Sequence, residues 1–194
     1  MNYPNNIIKN KHIINYGNRG MNLEYDLNTT NKYYLDNDIA VIHKKPTPIT
    51  IVSVDYKSRK EAVIKEAYFK TPSTTDYNGI YKGKYIDFEA KETKNKLGFP
   101  LINIHEHQIE HLKKIIKFDG IAFLIIRFTY YNETYFVFAC DFINYIETLK
   151  KKTVPLSFFK EKGILLKEKL NPRIDYLKII DEYYKGELCY EKRK

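Results

Sequence analysis

The stretch Thr71–Lys91 most constrains how this chain can fold, because two strand-like runs meet there at a tight turn. It reads TPSTTDYNGIYKGKYIDFEAK. Residues alternate in character along Thr74–Tyr81 and along Lys84–Lys91, and the dipeptide Lys82-Gly83 separates the two runs. A two-residue connection that contains glycine is typical of a β-hairpin, because the turn requires positive φ angles. The sequence therefore predicts a hairpin with this dipeptide as its turn.

The pairing of this hairpin collects charged side chains on one face. Counting outward from the turn places Asp76 opposite Glu89, and residues two apart along a strand share a face. That face is predicted to display four polar side chains, Thr74, Asp76, Glu89 and Lys91. The opposite face is predicted to display Gly79, Ile80, Ile86, Phe88 and Ala90.

Two carboxylates that face each other across a strand pair repel unless a positive group lies between them. Hard cations such as Mg²⁺ prefer oxygen ligands, so Asp76 and Glu89 are candidate metal ligands. Lys91, two residues after the second acid, would then assist attack on a phosphodiester. Three alternatives stay open. In the first, these are ordinary charged surface strands without a metal. In the second, the turn slips by one residue or the strand forms a bulge at Gly79, and in the third, Asp87 replaces Glu89 as the ligand.

Composition agrees with an intracellular protein that binds a polyanion. The chain has 194 residues, which suits a single domain with a real core. Its formal net charge of +9 and pI near 9.2 favour a phosphate-rich partner, although codon bias toward lysine would produce the same charge. Cys140 and Cys189 form no C-x-x-C pattern, and no apolar run reaches ~18 residues. The start of the chain lacks an apolar signal-peptide core, so we expect a cytoplasmic protein without membrane contact.

The segment Lys44–Lys70 combines prolines, basic residues and aromatic residues. Pro46 and Pro48 predict an edge or protruding strand, because proline cannot donate to a central ladder. Basic and aromatic side chains together suit contact with nucleic acid. The candidate DNA-binding residues here are Lys57, Arg59, Lys60, Tyr68, Phe69 and Lys70. The alternative is an exposed ribbon with no ligand.

The remaining patterns predict an α/β domain whose mixed central sheet is flanked by helices. Predicted helices are Gly20–Leu35, a helix capped by Asn103 and Glu106, Asp141–Leu149, a turn capped by Ser157, and Asp175–Tyr184. Predicted strands outside the hairpin are Ile39–His43, Ile121–Tyr130 and Thr134–Cys140.

Two polar residues of these helices are candidates for the same site. Glu24 is predicted to point inward, either toward a metal site or toward Arg19. Gln108 lies near a helix start and either reaches the sheet or binds backbone. Glycine-rich nucleotide-binding motifs are absent from the sequence.

Four blocks of sequence resemble the RecU family of Holliday-junction resolvases. They are NRGMNLE at Asn18–Glu24, PSTTDYNGIYKGKYIDFEAKETKNK at Pro72–Lys96, FPLINIHEHQIEHL at Phe99–Leu112, and NPRIDYL at Asn171–Leu177. Their order matches the family, and the resemblance extends from about Asn15 to Tyr184. It also implies a restriction-endonuclease-like fold in which residues of about 46–71 form a β stalk.

The resemblance implies a homodimeric endonuclease that depends on Mg²⁺, with Mn²⁺ as a substitute, and nicks a four-way DNA junction symmetrically. Position by position, it assigns metal binding to Thr74, Asp76, Glu89 and Gln108, and transition-state stabilisation to Lys91. Arg19, Lys94 and Lys96 are further candidate DNA contacts. Recombinase or branch-migration proteins are possible partners. The alternatives are a restriction or repair nuclease for linear duplex, or a non-catalytic module that binds DNA or a recombinase.

These inferences predict a mobile arm at residues 1–16 and one nuclease domain at 17–194.

Overall fold

The computed structural model describes residues 21–58, 60–70 and 74–185. Within these ranges the strands, in chain order, are β1 (Val41–Lys44), β2 (Ile49–Asp55), β3 (Val63–Phe69), β4 (Tyr77–Tyr81), β5 (Lys84–Thr93), β6 (Gly98–Pro100), β7 (Ile121–Phe128), β8 (Glu133–Phe138), β9 (Thr153–Pro155) and β10 (Ile164–Leu166). The helices are α1 (Met21–Asp36), α2 (Glu106–Lys117), α3 (Ala139–Thr148), α4 (Leu156–Lys162) and α5 (Tyr176–Lys185). None of these described helices is long and apolar enough to span a membrane.

The central sheet is mixed, as the sequence predicts. Six strands lie in the order β1-β4-β5-β7-β8-β10. β5 and β7 run parallel, and the other neighbouring pairs run antiparallel. A parallel pair needs a long crossover connection, which here contains α2. The crossover therefore places a helix directly over the strand that follows the hairpin turn.

Helices cover both faces of this sheet, and β7 is consequently buried along its whole length. Phe123 and Ile125 of β7 pack into one core with residues of α1 and α5. Leu124 and Ile126 face the other core, which contains residues of α2, α3 and α4. A strand buried on both faces is apolar at successive positions, as the IAFLII run of β7 is.

The ribbon of β2 and β3 stands apart from this layered body. The two strands pair only with each other, and every described residue along them is exposed. It leaves the central sheet after β1 and returns just before β4. The structure thus contains the exposed two-stranded projection that the prolines predict.

Several predicted element ends and one predicted face are wrong. Asn103 does not cap α2, because it lies in a 3-10 turn (Leu101–Asn103) and the helix begins at Glu106. Ser157 lies inside α4, which begins at Leu156 after Pro155. Ile80 pairs with Tyr85, so it lies on the face of the acids and not with Ile86. The division into an arm and a domain stays a prediction, because residues 1–20 and 186–194 lie outside the described residues.

Candidate active site

The hairpin turn has the geometry that its sequence demands. Lys82 and Gly83 have φ angles of 47° and 75°, the positive values that a two-residue hairpin turn requires. Tyr81 pairs with Lys84, and the pairing continues without a bulge to Tyr77 opposite Phe88. The predicted register of this hairpin is confirmed along β4.

Asp76 lies one residue before β4, in a bend, so backbone pairing between the strands ends before it is reached. Two contacts hold it between β5 and the end of β1. Its carboxylate accepts a hydrogen bond from the Ala90 N–H at 3.2 Å, and its carbonyl oxygen accepts one from the Lys45 N–H at 2.7 Å. Asp76 is therefore adjacent to Glu89, the residue before Ala90, and it is placed by hydrogen bonds rather than by the ladder.

The carboxylate of Glu89 is fully buried. Burial raises its pKa to about 8, the negative charge of Asp76 adds to the increase, and the positive charge of Lys91 opposes it. Lys91 Nζ lies 2.7 Å from Glu89 Oε1, and its side chain is one-quarter exposed. The three groups thus interact closely, with the acid inside and the ammonium group toward solvent.

The unsatisfied oxygens of Glu89 fit a bound cation. Within the described residues, no donor reaches either oxygen with hydrogen-bond geometry, although Lys91 lies close to one of them. Buried carboxylate oxygens without such partners are costly, and a hard cation would satisfy them. No group of three or more His, Cys, Asp or Glu side chains in the described part of the chain is arranged to hold a metal. A cation here would therefore need neutral oxygen ligands besides the two acids.

Thr74 and Gln108 already have hydrogen-bond partners. The Thr74 hydroxyl is exposed and accepts a hydrogen bond from Lys45 Nζ at 3.0 Å. Gln108 is buried near the start of α2, where its Oε1 accepts a hydrogen bond from the His105 N–H at 3.0 Å as part of a capping box. Both oxygens keep a second lone pair, because a hydroxyl and an amide oxygen each accept two hydrogen bonds.

Asp87 shares the face of Glu89 but has a different environment. It is fully buried, and its oxygens contact the side chains of Lys45, Thr75, Tyr85 and His111. Because these partners already surround the carboxylate, Asp87 is poorly suited to replace Glu89 as a cation ligand.

A cleft of about 180 Å³ opens beside the acidic pair, and its lining includes Asp76, Lys91 and Glu24. Glu24 lines this cleft with a half-exposed side chain that forms an ion pair with Lys44 at 2.5 Å, and its role in the site stays a prediction. Arg19, the alternative partner, lies outside the described residues. The cleft gives an external group access to Asp76 and Lys91, while Glu89 lies behind them.

The candidate DNA contacts in the described residues are exposed: Lys57, Lys60, Tyr68, Phe69, Lys70, Lys94 and Lys96. Those of the ribbon are separate in the chain from Lys94 and Lys96, which follow β5. Lys96 Nζ lies 3.9 Å from the centre of the Tyr130 ring, a cation–π contact that joins two surface loops. Arg59, like Arg19, lies outside the described residues, so its role stays a prediction.

Sequence reasoning missed two charged side chains that pair with buried acids. Lys45 reaches Asp87, which is 42 residues away along the chain. Arg127, on β7, reaches Asp26 of α1 at 2.8 Å, and Asp26 also pairs with Arg173 at 2.5 Å. No local spacing signals such contacts, because they depend on which elements become neighbours in the fold. An arginine inside the apolar run of β7 was the one available signal.

Comparison with known proteins gives a consistent result. The family model described as "Recombination protein U" matches residues 18–182. A Holliday junction resolvase RecU from Bacillus cytotoxicus is 59% identical over 172 residues, which cover 87% of this chain and 86% of the relative. Proteins of the same name from Bacillus mycoides and Bacillus anthracis are 56% and 57% identical over the same shares of both chains. With a model match across most of its length and relatives well above half identity, the chain belongs to the RecU family.

Proposed function

We propose that this protein is a Mg²⁺-dependent endonuclease that resolves four-way DNA junctions by paired, symmetric nicks. The observation that supports the proposal most directly is the fully buried Glu89 carboxylate beside Asp76: Lys91 lies 2.7 Å from its Oε1, and neither of its oxygens has a hydrogen bond of regular geometry within the described residues. The names of relatives at 56–59% identity, all Holliday junction resolvases, support the choice of substrate.

Asp76 and Glu89 would hold the cation, with Thr74 and Gln108 completing or supporting its shell through their second lone pairs. When bound, Mg²⁺ or Mn²⁺ supplies polarisation of the scissile phosphodiester. Lys91 lines the cleft, and its ammonium group can stabilise negative charge that develops on the phosphate oxygens. Glu89 keeps that ammonium group beside the acids, because the two lie 2.7 Å apart.

The exposed ribbon of β2 and β3 would enter or contact the junction. Lysines at its tip would neutralise phosphates, and exposed aromatic rings would stack on unpaired bases. The DNA contacts proposed for the ribbon are Lys57, Arg59, Lys60, Tyr68, Phe69 and Lys70. Those proposed outside the ribbon are Arg19, Lys94 and Lys96. Two symmetric nicks require two sites, so we propose that the protein acts as a homodimer in the cytoplasm, where recombinase or branch-migration proteins are possible partners.

Cleavage of a synthetic four-way junction and of a linear duplex with the same arm sequences tests this proposal. Wild-type protein is expected to nick opposite strands of the junction in Mg²⁺ and to spare the duplex. Asp76→Ala and Glu89→Ala are expected to bind the junction without cutting it, whereas Asp36→Ala, at an exposed acid of α1, is expected to cut normally. Cutting by both active-site variants, or preference for the duplex, would contradict the proposal.

A further inference from the structure

The side chain of Lys45 lies, largely covered, between the ribbon and the acidic site. Its Nζ donates to three acceptors: Thr74 Oγ1 at 3.0 Å, Thr75 Oγ1 at 2.6 Å and Asp87 Oδ2 at 2.7 Å. A lysine ammonium has three donors, so these contacts use all of them. With its side chain 14% exposed, Lys45 is held in one arrangement.

The chain positions of these partners explain what the arrangement holds in place. Lys45 follows β1 immediately, at the point where the chain leaves the sheet to form the ribbon. Thr74, Thr75 and Asp76 lie where the chain returns from the ribbon, before β4 begins. Asp87 belongs to β5, two residues before Glu89. Lys45 therefore links the two bases of the ribbon to the strand that contains the buried acid.

The buried carboxylate of Asp87 fixes the positions of Lys45 and Thr75. A fully buried carboxylate is destabilising unless it is paired and hydrogen-bonded, and it is surrounded here by Lys45, Thr75, Tyr85 and His111. Thr75 contacts both Lys45 and Asp87, which closes a three-membered polar network beneath the bend. The bend cannot move away from β5 without exposing or separating these buried groups.

Asp76 depends on that bend, because it lies outside the ladder. Its carboxylate accepts a hydrogen bond from the Ala90 N–H, and its carbonyl oxygen accepts one from the Lys45 N–H at 2.7 Å. We propose that Lys45, anchored on Asp87, is a positioning residue that holds the Asp76 carboxylate beside Glu89. The inference rests on the proposed function, in which these two acids bind the cation together.

The test uses full-length protein with the double substitution Lys45→Met/Asp87→Asn, which removes both charges of the pair and avoids leaving an unpaired buried carboxylate. Its control is Lys32→Met/Asp36→Asn, at an exposed lysine–aspartate pair on α1. Three measurements apply to each protein: the melting temperature, amide hydrogen exchange at Ala90 by NMR, and Mn²⁺ binding by calorimetry without DNA. The fourth measurement is cleavage of a four-way junction over a range of DNA concentrations, which gives kcat and KM.

The double variant is expected to melt near the wild-type temperature, because the lost ion pair was buried at a desolvation cost. Ala90 is expected to exchange about tenfold faster, Mn²⁺ to bind about tenfold more weakly, and kcat to fall about 10- to 100-fold with KM unchanged, since small misplacements of catalytic groups are costly. A purely structural role predicts a lower melting temperature with wild-type Ala90 exchange and Mn²⁺ affinity, and that result would overturn the inference.

Thr75→Val provides a second test if the double variant does not fold. It removes one acceptor of Lys45 and keeps the Lys45–Asp87 pair, so the same changes are expected with a smaller magnitude.

If wild-type protein neither binds Mn²⁺ nor cuts junctions, the proposed function fails, and Ala90 exchange still decides whether Lys45 positions Asp76. If the wild type cuts and Asp76→Ala does not, yet both network variants match the wild type in exchange, Mn²⁺ binding and kcat, the positioning role alone is wrong.

Discussion

Lys91 Nζ lies 2.7 Å from Oε1 of Glu89. The lysine side chain is partly exposed, whereas the glutamate side chain is fully buried. The pair is asymmetric in its solvation, since the lysine keeps contact with the cleft while the acid does not. The charge of Lys91 lowers the pKa of Glu89, but burial and Asp76 together outweigh this effect. Burial and Asp76 thus raise the pKa of Glu89 to about 8, while Lys91 lines the cleft on the solvent side of the pair.

Replacing Lys91 by methionine should remove catalysis while preserving DNA affinity. The substitution keeps most of the aliphatic stem and deletes the ammonium group, so we expect single-turnover junction cleavage to fall by about 10²- to 10³-fold, as for loss of one transition-state donor. Junction binding in a gel shift should stay unchanged. Lys178→Met, at an exposed lysine of α5, is the matched control and should cut normally. Equal cleavage by the two variants would exclude the proposed role of Lys91.

The titration of Glu89 predicts how stability depends on pH without metal. Burial raises its pKa from 4.5 to about 8 in the folded protein, so the folded state binds this proton more tightly than the unfolded state. Stability should therefore fall as pH rises from about 5 to about 9, by roughly 2–4 kcal/mol from this group. Glu89→Gln should remove that dependence. Urea unfolding in EDTA at pH 6 and pH 9 measures both proteins, and parallel changes in the two would refute the prediction.

Cation binding should release a proton below about pH 8, because the Glu89 carboxyl group must ionise to act as a ligand. Calorimetric titration with Mg²⁺ or Mn²⁺ in buffers of different ionisation enthalpy counts the protons released. We expect close to one proton at pH 7 and none at pH 9.5. A Glu89→Gln protein that still released a proton would assign the titration to another group.

Arg127 should be important for stability rather than for chemistry. It is almost completely buried and pairs with Asp26 at 2.8 Å and Glu168 at 3.2 Å, so Arg127→Met leaves a buried acid short of a partner. We expect a loss of about 3–5 kcal/mol in the free energy of unfolding, measured by denaturant titration. Lys162→Met, at an exposed lysine of α4, should change it by less than about 0.5 kcal/mol. A loss below that of the control would show that apolar packing compensates for the arginine.

The ribbon should contribute to DNA affinity without contributing to stability. Lys57 and Lys60 are exposed, so the double substitution to glutamine should weaken junction binding and reduce the slope of log K against log salt by up to about 2. Its control, Lys32→Gln/Lys178→Gln, removes the same charge from α1 and α5. Identical salt slopes for the two double variants would mean that net charge, and not the ribbon, determines affinity. The melting temperature should be unchanged in both.

The secondary structure of this protein and the register of its hairpin follow from short-range patterns in the sequence. The Lys82-Gly83 turn and the two-residue period of the flanking runs predict the pairing of β4 with β5, because a turn of two residues leaves a single register. The apolar run of β7 and the periodicity of α1 and α5 likewise predict buried elements close to their observed limits. These signals are local, since each depends on residues a few positions apart. The local signals gave the wrong cap for α2. An Asn103 cap would start the helix at Ile104, but a 3-10 turn occupies Leu101–Asn103 and the helix begins two residues later, at Glu106.

The surroundings of the acids were decided by the tertiary structure. β1 lies at the sheet edge beside β4, which brings Lys45 to Asp87 across 42 residues and distinguishes that buried, paired acid from Glu89. The placement of α1 over the central sheet joins Arg127 to Asp26 across 101 residues. Sequence spacing predicts which residues share a face of one strand, but the partners of a buried charge depend on which elements pack together. The same two carboxylates on one strand therefore become a structural anchor and a candidate ligand through packing alone.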